Sequence, residues 1–148
     1  MLEVELWGIS QGAPPMVVLR HEDRVLPILI NFPEANAIQL GLAGQKTRRP
    51  MTHDLACNLL AGLRGHLQSV TIYKLEDDTY YAHLNVEQRT ESGQVEQMLK
   101  IDSRPSDGMA IAVRVGCPIY VAEEVMDKAG QDAAALGLPV EGEEGLGE

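Results

Sequence analysis

A chain of 148 residues with 45% hydrophobic and 23% charged residues suits a single globular domain with a sizeable core. Its formal net charge of −10 works against any partner held by bulk positive charge, and aromatics at 4% supply little for base stacking. No apolar run approaches the about 20 residues of a membrane span, and the start "MLEVELWGIS" carries acids where a signal peptide needs bases.

In chain order, "LEVELW" alternates Leu2, Val4 and Leu6 with Glu3 and Glu5, the pattern of a half-buried strand. "PMVVLR" and "VLPILI" flank "HEDR" and predict a hairpin. Residues 31–44, "NFPEANAIQLGLAG", predict a helix with Pro33 near its start, Glu34 in its first turn and Gly44 past its end. A second helix is expected from Thr52 to Arg64, stopped by Gly65. "LQSVTIYKL" and "TYYAHLNVE" are expected strands around the acidic turn "EDD", and "QVEQMLKID" is a third. A short helix from Ser106 to Val115 leads into the strand "CPIYV", and "EEVMDKAG" is a last small helix. Strands outnumber helices and arrive in blocks, so the fold class is α+β with a mostly antiparallel sheet. The domain is expected over residues 1–138, with a Gly- and Glu-rich tail at 139–148 expected to be disordered.

Four net negative charges sit in that tail, at Glu141, Glu143, Glu144 and Glu148. The body is still acidic, and nucleic acid would have to be met by a local basic patch. Cys57 and Cys117 are far apart with no metal-type spacing and read as reduced, buried thiols of a cytoplasmic protein. An internal echo links "ILINFPEANAI" (28–38) to "LKIDSRPSDGMAI" (99–111): a strand, Asn or Asp, Pro, an acid, then Ala-Ile. Duplication of a βα unit and chance similarity of two ordinary strand-to-helix turns both account for it.

"TRRPMTHDLACNLL" (47–60) bunches charged groups at a helix start. At helical spacing Leu55, Ala56, Leu59, Leu60 and Leu63 fall on one broad face, Asp54, Asn58 and Ala61 point away, and His53 lies at the border. Thr52 is a natural N-cap and Asp54 is favoured by the helix dipole, so capping explains both. It does not explain Arg48 and Arg49, which oppose the dipole and would suit an anion bound at the same N-terminus. "DSRPSDGMAIAVR" (102–114) has the same logic, with Ser106 able to cap, Asp107 in the first turn and Arg104 just before Pro105. "GMAIAV" is apolar all round, so this helix is expected to be central and its entrance charges to need partners. An Arg–Asp pair locking two helix starts together and a polar cleft built by both Arg-Pro turns stay open as readings.

Taken in order, "LPILI", "PEANAI", "RRPMTHDLACNLL", "DDTYYAHL" and "DSRPSDGMAIAVRVGCPIYVAEEV" resemble the bifunctional nuclease domain family, over about residues 2–130. The resemblance implies hydrolysis of both RNA and DNA. Carried onto this chain, its motifs mark Arg49, Thr52, His53, Asp54, Arg104, Ser106 and Asp107, with Glu34 from the first block. Gly108 stands where alanine is usual.

An enzyme that uses the RNA 2′-hydroxyl as nucleophile cannot cut DNA. Cleaving both requires water, or a protein nucleophile, to attack phosphorus, and water attack usually recruits a divalent ion with cationic side chains stabilising the developing charge. His53, Asp54, Asp107 and Glu34 are then the candidate catalytic residues. Glu34, Asp54 and Asp107 are candidate magnesium or manganese ligands, Asp54 and Asp107 foremost. Arg49 and Arg104, with Thr52 and Ser106, would hold phosphate, and His53 would be general acid or base. His21, His66 and His83 have no motif context and read as surface or strand residues. The expected function is therefore a nuclease of little sequence specificity, reaching nucleic acid through a local patch and free of membrane. A homo-oligomer is left open. The competing reading is a non-enzymatic ligand- or protein-binding module using the same Arg/Asp cleft, and a third is a purely structural ion network.

Overall fold

Alternation of Leu2, Val4 and Leu6 does make a strand, β1 (Leu2–Ser10), in the computed structural model of the chain, which describes residues 1–137. The strand runs past "LEVELW" with a register shift between Leu6 and Gly8. Strands β2 (Met16–His21) and β3 (Arg24–Leu29) form the expected hairpin and lead into α1 (Phe32–Leu42). Helix α2 (Thr52–Gly62) follows. Then β4 (Gly65–Glu76), β5 (Thr79–Arg89) and β6 (Val95–Ser103) form an antiparallel meander that runs into α3 (Pro105–Val115). Strand β7 (Ile119–Val121), α4 (Glu123–Ala129) and the two-residue β8 (Gln131–Asp132) complete the order. Neither β8 nor the 3-10 turn at Ala134–Leu136 was expected. The 139–148 tail, with the boundary at residue 138, lies outside the described residues.

The eight strands lie in one sheet ordered β6-β5-β4-β7-β1-β2-β3-β8. Among the described residues only the β4–β7 pair is parallel, so the class is α+β, as one domain. The weak echo in the sequence belongs to a larger repeat. β1-β2-β3-α1 and β4-β5-β6-α3 are both three-stranded meanders followed by an 11-residue helix. The two meanders meet across β7, and their helices pack on one another.

Glycine permits that close approach. A Cβ on Gly41 of α1 would come within 2.5 Å of Val113 Cγ2 and 2.9 Å of Arg114 Nη1, both on α3. A Cβ on Gly108 would lie 2.8 Å from Cγ1 of the fully buried Val70, so glycine at this position seats α3 tightly on the sheet. Helix α3 is central as its apolar run predicts, with Met109, Ala110, Ile111 and Ala112 buried in one core with Val70, Ile72, Leu19 and Ile38. No described helix is long and apolar enough to cross a membrane.

Four local expectations are corrected. α2 ends at Gly62 rather than Arg64: Leu63 caps it, Arg64 takes a left-handed φ of 59°, and Gly65 already belongs to β4. Its N-cap is Met51, so Thr52 is the first helical residue and not the cap. Its buried face is also rotated. Leu55, Leu59 and Leu63 are 51%, 57% and 64% exposed, while Ala56, Cys57 and Leu60 pack against the core. Three leucines at i, i+4 and i+8 suggest a buried stripe, but α2 packs chiefly against α3 and β4, which take the neighbouring face. Cys57 and Cys117 are free thiols, half-buried rather than fully buried.

Candidate functional site at three helix starts

The chain enters α1, α2 and α3 in the same way. Each has an extended N-cap residue (Asn31, Met51 and Arg104) and a carboxylate three positions on (Glu34, Asp54 and Asp107). An acid in the first turn is favoured by free N–H groups and the dipole. For α2 the contact is direct, since Asp54 Oδ2 accepts the Met51 N–H at 3.0 Å. Asp54 therefore caps α2 from inside the helix, the task expected of Thr52. Ser106 likewise sits inside α3, as its second residue, and is buried.

Packing of α3 against α1 and α2 brings the three starts together. Arg104 grips Asp107 with two hydrogen bonds, Nε to Oδ2 at 2.8 Å and Nη2 to Oδ1 at 3.1 Å. The same guanidinium reaches Glu34 Oε2 of α1 at 3.8 Å. On the other side, His53 Nε2 of α2 stands 2.8 Å from Asp107 Oδ1. Asp107 is thus the hub, joining its own helix to α2 directly and to α1 through Arg104. Burial by itself would raise the Asp107 pKa, but hydrogen bonds from Arg104 and His53, and their charge, outweigh it and hold the carboxyl below its ordinary value. Arg104, hydrogen-bonded to Asp107, has its own pKa raised. An aspartate held ionised here orders the imidazole, because an acceptor at Nε2 keeps the proton there. His53 Nδ1 makes no hydrogen bond among the described residues.

Asp54 faces a different partner. Arg114, in the last turn of α3, donates from Nε to Asp54 Oδ1 at 2.8 Å. Its Nη1 donates to Ala37 O of α1 at 2.9 Å and to Ala110 O at 2.8 Å. Only 11% of the Arg114 side chain is exposed, so one buried guanidinium ties α1, α2 and α3 together. The Met51 N–H and then Arg114 lower the Asp54 pKa. The sequence does not single out Arg114, because a cation in a last helical turn is ordinary dipole chemistry. Its seven-residue separation from Asp107, two helical turns along the same helix, is the available signal.

Of the expected site residues, Glu34, His53, Arg104 and Asp107 form one connected cluster, and Asp54 adjoins it turned toward Arg114. Arg104 is 60% exposed, so its guanidinium is open to an anion, contrary to the buried entrance expected. A cavity of about 340 Å³ opens beside it, lined by Asn31, Glu34, Tyr80, Arg104 and Ser106. Arg49 does not join the cluster. It lies in the exposed loop before α2 with Lys46 and Arg48, and none of the three forms an ion pair among the described residues. Lys46, Thr47 and Arg48 line a second cavity, of about 400 Å³, against Asp54. Thr52 is exposed at the start of α2. The larger hollow of about 700 Å³ along β1 holds none of these residues.

The donor set does not fit a divalent metal. Glu34, Asp54 and Asp107 each face an arginine, and no three His, Cys, Asp or Glu side chains among the described residues are placed to hold one metal ion. What the arrangement can do is hold an anion at Arg104 and present an oriented imidazole beside it.

The model of the Bifunctional nuclease domain matches residues 17–134. Two Mycobacterium tuberculosis proteins, Uncharacterized protein Rv1829 and Uncharacterized protein MT1877, are each 42% identical over 135 residues, covering 88% of this chain and 77% of theirs. Bifunctional nuclease 2 of Oryza sativa subsp. japonica is 29% identical over 118 residues, covering 77% of this chain and 35% of the rice protein.

Proposed function

Because the chain belongs to the bifunctional nuclease domain family, we propose that it hydrolyses phosphodiester bonds of RNA and DNA, with His53 as the proton-transfer group. The observation that carries this reading is the His53–Asp107–Arg104 chain of hydrogen bonds at converging helix starts. Arg104 would bind a phosphate oxygen and stabilise the charge that develops on it. His53, held through Nε2 by Asp107, would take a proton from water at Nδ1 and return it to the leaving oxygen. Lys46, Arg48 and Arg49 would draw in the flanking backbone, and none of these contacts reads base identity, which suits low sequence specificity. The metal-assisted route expected from the sequence finds no ligand set among the described residues, so no step is assigned to magnesium or manganese.

A second reading has one observation in its favour: every carboxylate of the cluster is already in an ion pair, as in a binding module or a structural clamp. One experiment separates them. Highly purified protein is assayed on single- and double-stranded RNA and DNA, with and without chelator, beside His53→Ala and Asp107→Asn. The nuclease reading expects folded His53→Ala to be slower by roughly 10²–10⁴, and Asp107→Asn to be slowed as well. Equal rates in wild type and both variants would assign the cleavage to a contaminant and leave the binding module.

A further inference from the structure

The cavity of about 340 Å³ beside Arg104 has features that an anion alone does not call for. Its volume lies within the range of about 300–1,000 Å³ typical of sites for small organic ligands. One aromatic side chain, Tyr80, and two aliphatic ones, Leu29 and Ile30, give it an apolar wall. Tyr80 is half-buried and packed on the core, so the fold holds that wall in place. Three polar groups line the same space unused. Ser106 is only 7% exposed, yet its hydroxyl makes no hydrogen bond among the described residues. The same holds for the Tyr80 hydroxyl and for the side chain of Asn31, which does not cap α1. A buried hydroxyl without a partner destabilises the fold, and a ligand that supplies one removes the cost. Two large apolar groups also stay in solvent here, Leu29 at 66% and Phe32, the residue after Asn31, at 60%.

We propose that this cavity receives the base of an unpaired nucleotide whose phosphate lies on Arg104, an inference that rests on the reading of Arg104 as the phosphate-holding group. A nucleotide joins a flat apolar ring with polar edges to an anion, and the wall, the unused polar groups and Arg104 match these in turn. Asp107 holds Nε and Nη2 of Arg104, while Nη1 makes no hydrogen bond among the described residues and the side chain is 60% exposed. The guanidinium is thus fixed in direction with a nitrogen left for a phosphate oxygen. Glu34 and Asp78 also line the cavity and disfavour a phosphate inside it, which leaves the base as the part that enters. There it stacks on Tyr80 and turns its edge to Asn31 and Ser106. An amide that can turn over and a hydroxyl both donate and accept, and stacking tolerates every base, so the pocket binds a base without choosing one. A base in a duplex is paired and stacked and must leave the helix to reach such a pocket, whereas a single strand offers it directly. Single-stranded nucleic acid is therefore the substrate class.

Titration calorimetry on the full chain tests this with adenosine 5′-monophosphate and ribose 5-phosphate, neither of which has a phosphodiester to cleave. The nucleotide should bind about tenfold or more tightly than the bare sugar phosphate, the worth of one base stacked on an aromatic ring. Tyr80→Leu should remove most of that preference and Asn31→Ala should reduce it, both leaving ribose 5-phosphate binding as it was. Arg104→Ala should weaken both ligands. Circular dichroism checks that Tyr80→Leu is folded, and Asn31 is exposed with no side-chain hydrogen bond for its variant to lose. Equal affinity for the two ligands, or no measurable binding of either, would overturn the proposal. So would a nucleotide preference that survives in both Tyr80→Leu and Asn31→Ala. The nuclease reading fails separately: a protein that shows the preference but leaves RNA and DNA intact keeps the pocket and loses the enzyme.

Discussion

At the scale of single residues, the charged groups ahead of α2 do two jobs. Asp54 is a cap that also anchors Arg114, while His53, one position earlier, turns to Asp107 and the open side. The pKa values of Asp54 and Asp107 lie below the usual 3.8 in the folded chain. Their pairing therefore contributes its full stability above that value and loses it as pH falls through the lowered pKa. Melting temperature followed from about pH 7 down to about pH 3 should fall, and Asp54→Asn should fall less steeply because its share is already gone. At neutral pH Asp54→Asn should cost about 0.3–1 kcal/mol through the dipole. Arg114→Ala, which strands Asp54 and two carbonyls, should cost about 1–3 kcal/mol. A denaturant titration giving Arg114→Ala the stability of wild type would remove it as the tie between the helices. The capping role of Asp54 is legible from "THD" ahead of an apolar run. Its partner is not, because Arg114 lies 60 residues away and its two-turn spacing from Asp107 does not say which helix it faces.

At the scale of elements, the order of strands and helices follows from alternation, Pro and Gly, and the boundaries move by a few residues. The orientation of α2 does not follow. A helix shows which residues share a face, but its neighbours decide which face is covered. Leu55, Leu59 and Leu63 form a stripe that points to solvent, whereas Ala56, Cys57 and Leu60 meet the core. Leu60→Ala should then cost about 2 kcal/mol, the low end for leucine because the site is only half-buried. Leu59→Ala should stay within about 0.5 kcal/mol of wild type. Chemical denaturation of the two variants checks this, and a larger loss at Leu59 would mean that the stripe is covered in solution.

At the scale of the whole molecule, a net charge of −10 repels a polyanion, and any grip on nucleic acid has to be local. The loop carrying Lys46, Arg48 and Arg49 is the patch proposed for that grip. With Arg48 and Arg49 both changed to alanine, a labelled single strand should bind more weakly. The slope of log affinity against log salt should fall by about one for each phosphate that the protein no longer neutralises. An unchanged slope would place the nucleic acid elsewhere. From the sequence alone come the α+β class, the single domain, the family, the residue types of the site and the echo between 28–38 and 99–111, because these rest on local periodicity and motif spacing. Only the folded chain shows that the echo is a pair of β-β-β-α units joined through β7, or that Glu34, His53 and Asp107 share one cluster. Those facts depend on which strands neighbour each other and how closely Gly41 and Gly108 let α3 approach. Contacts between residues distant in sequence are set by packing of the whole molecule, which no local pattern encodes.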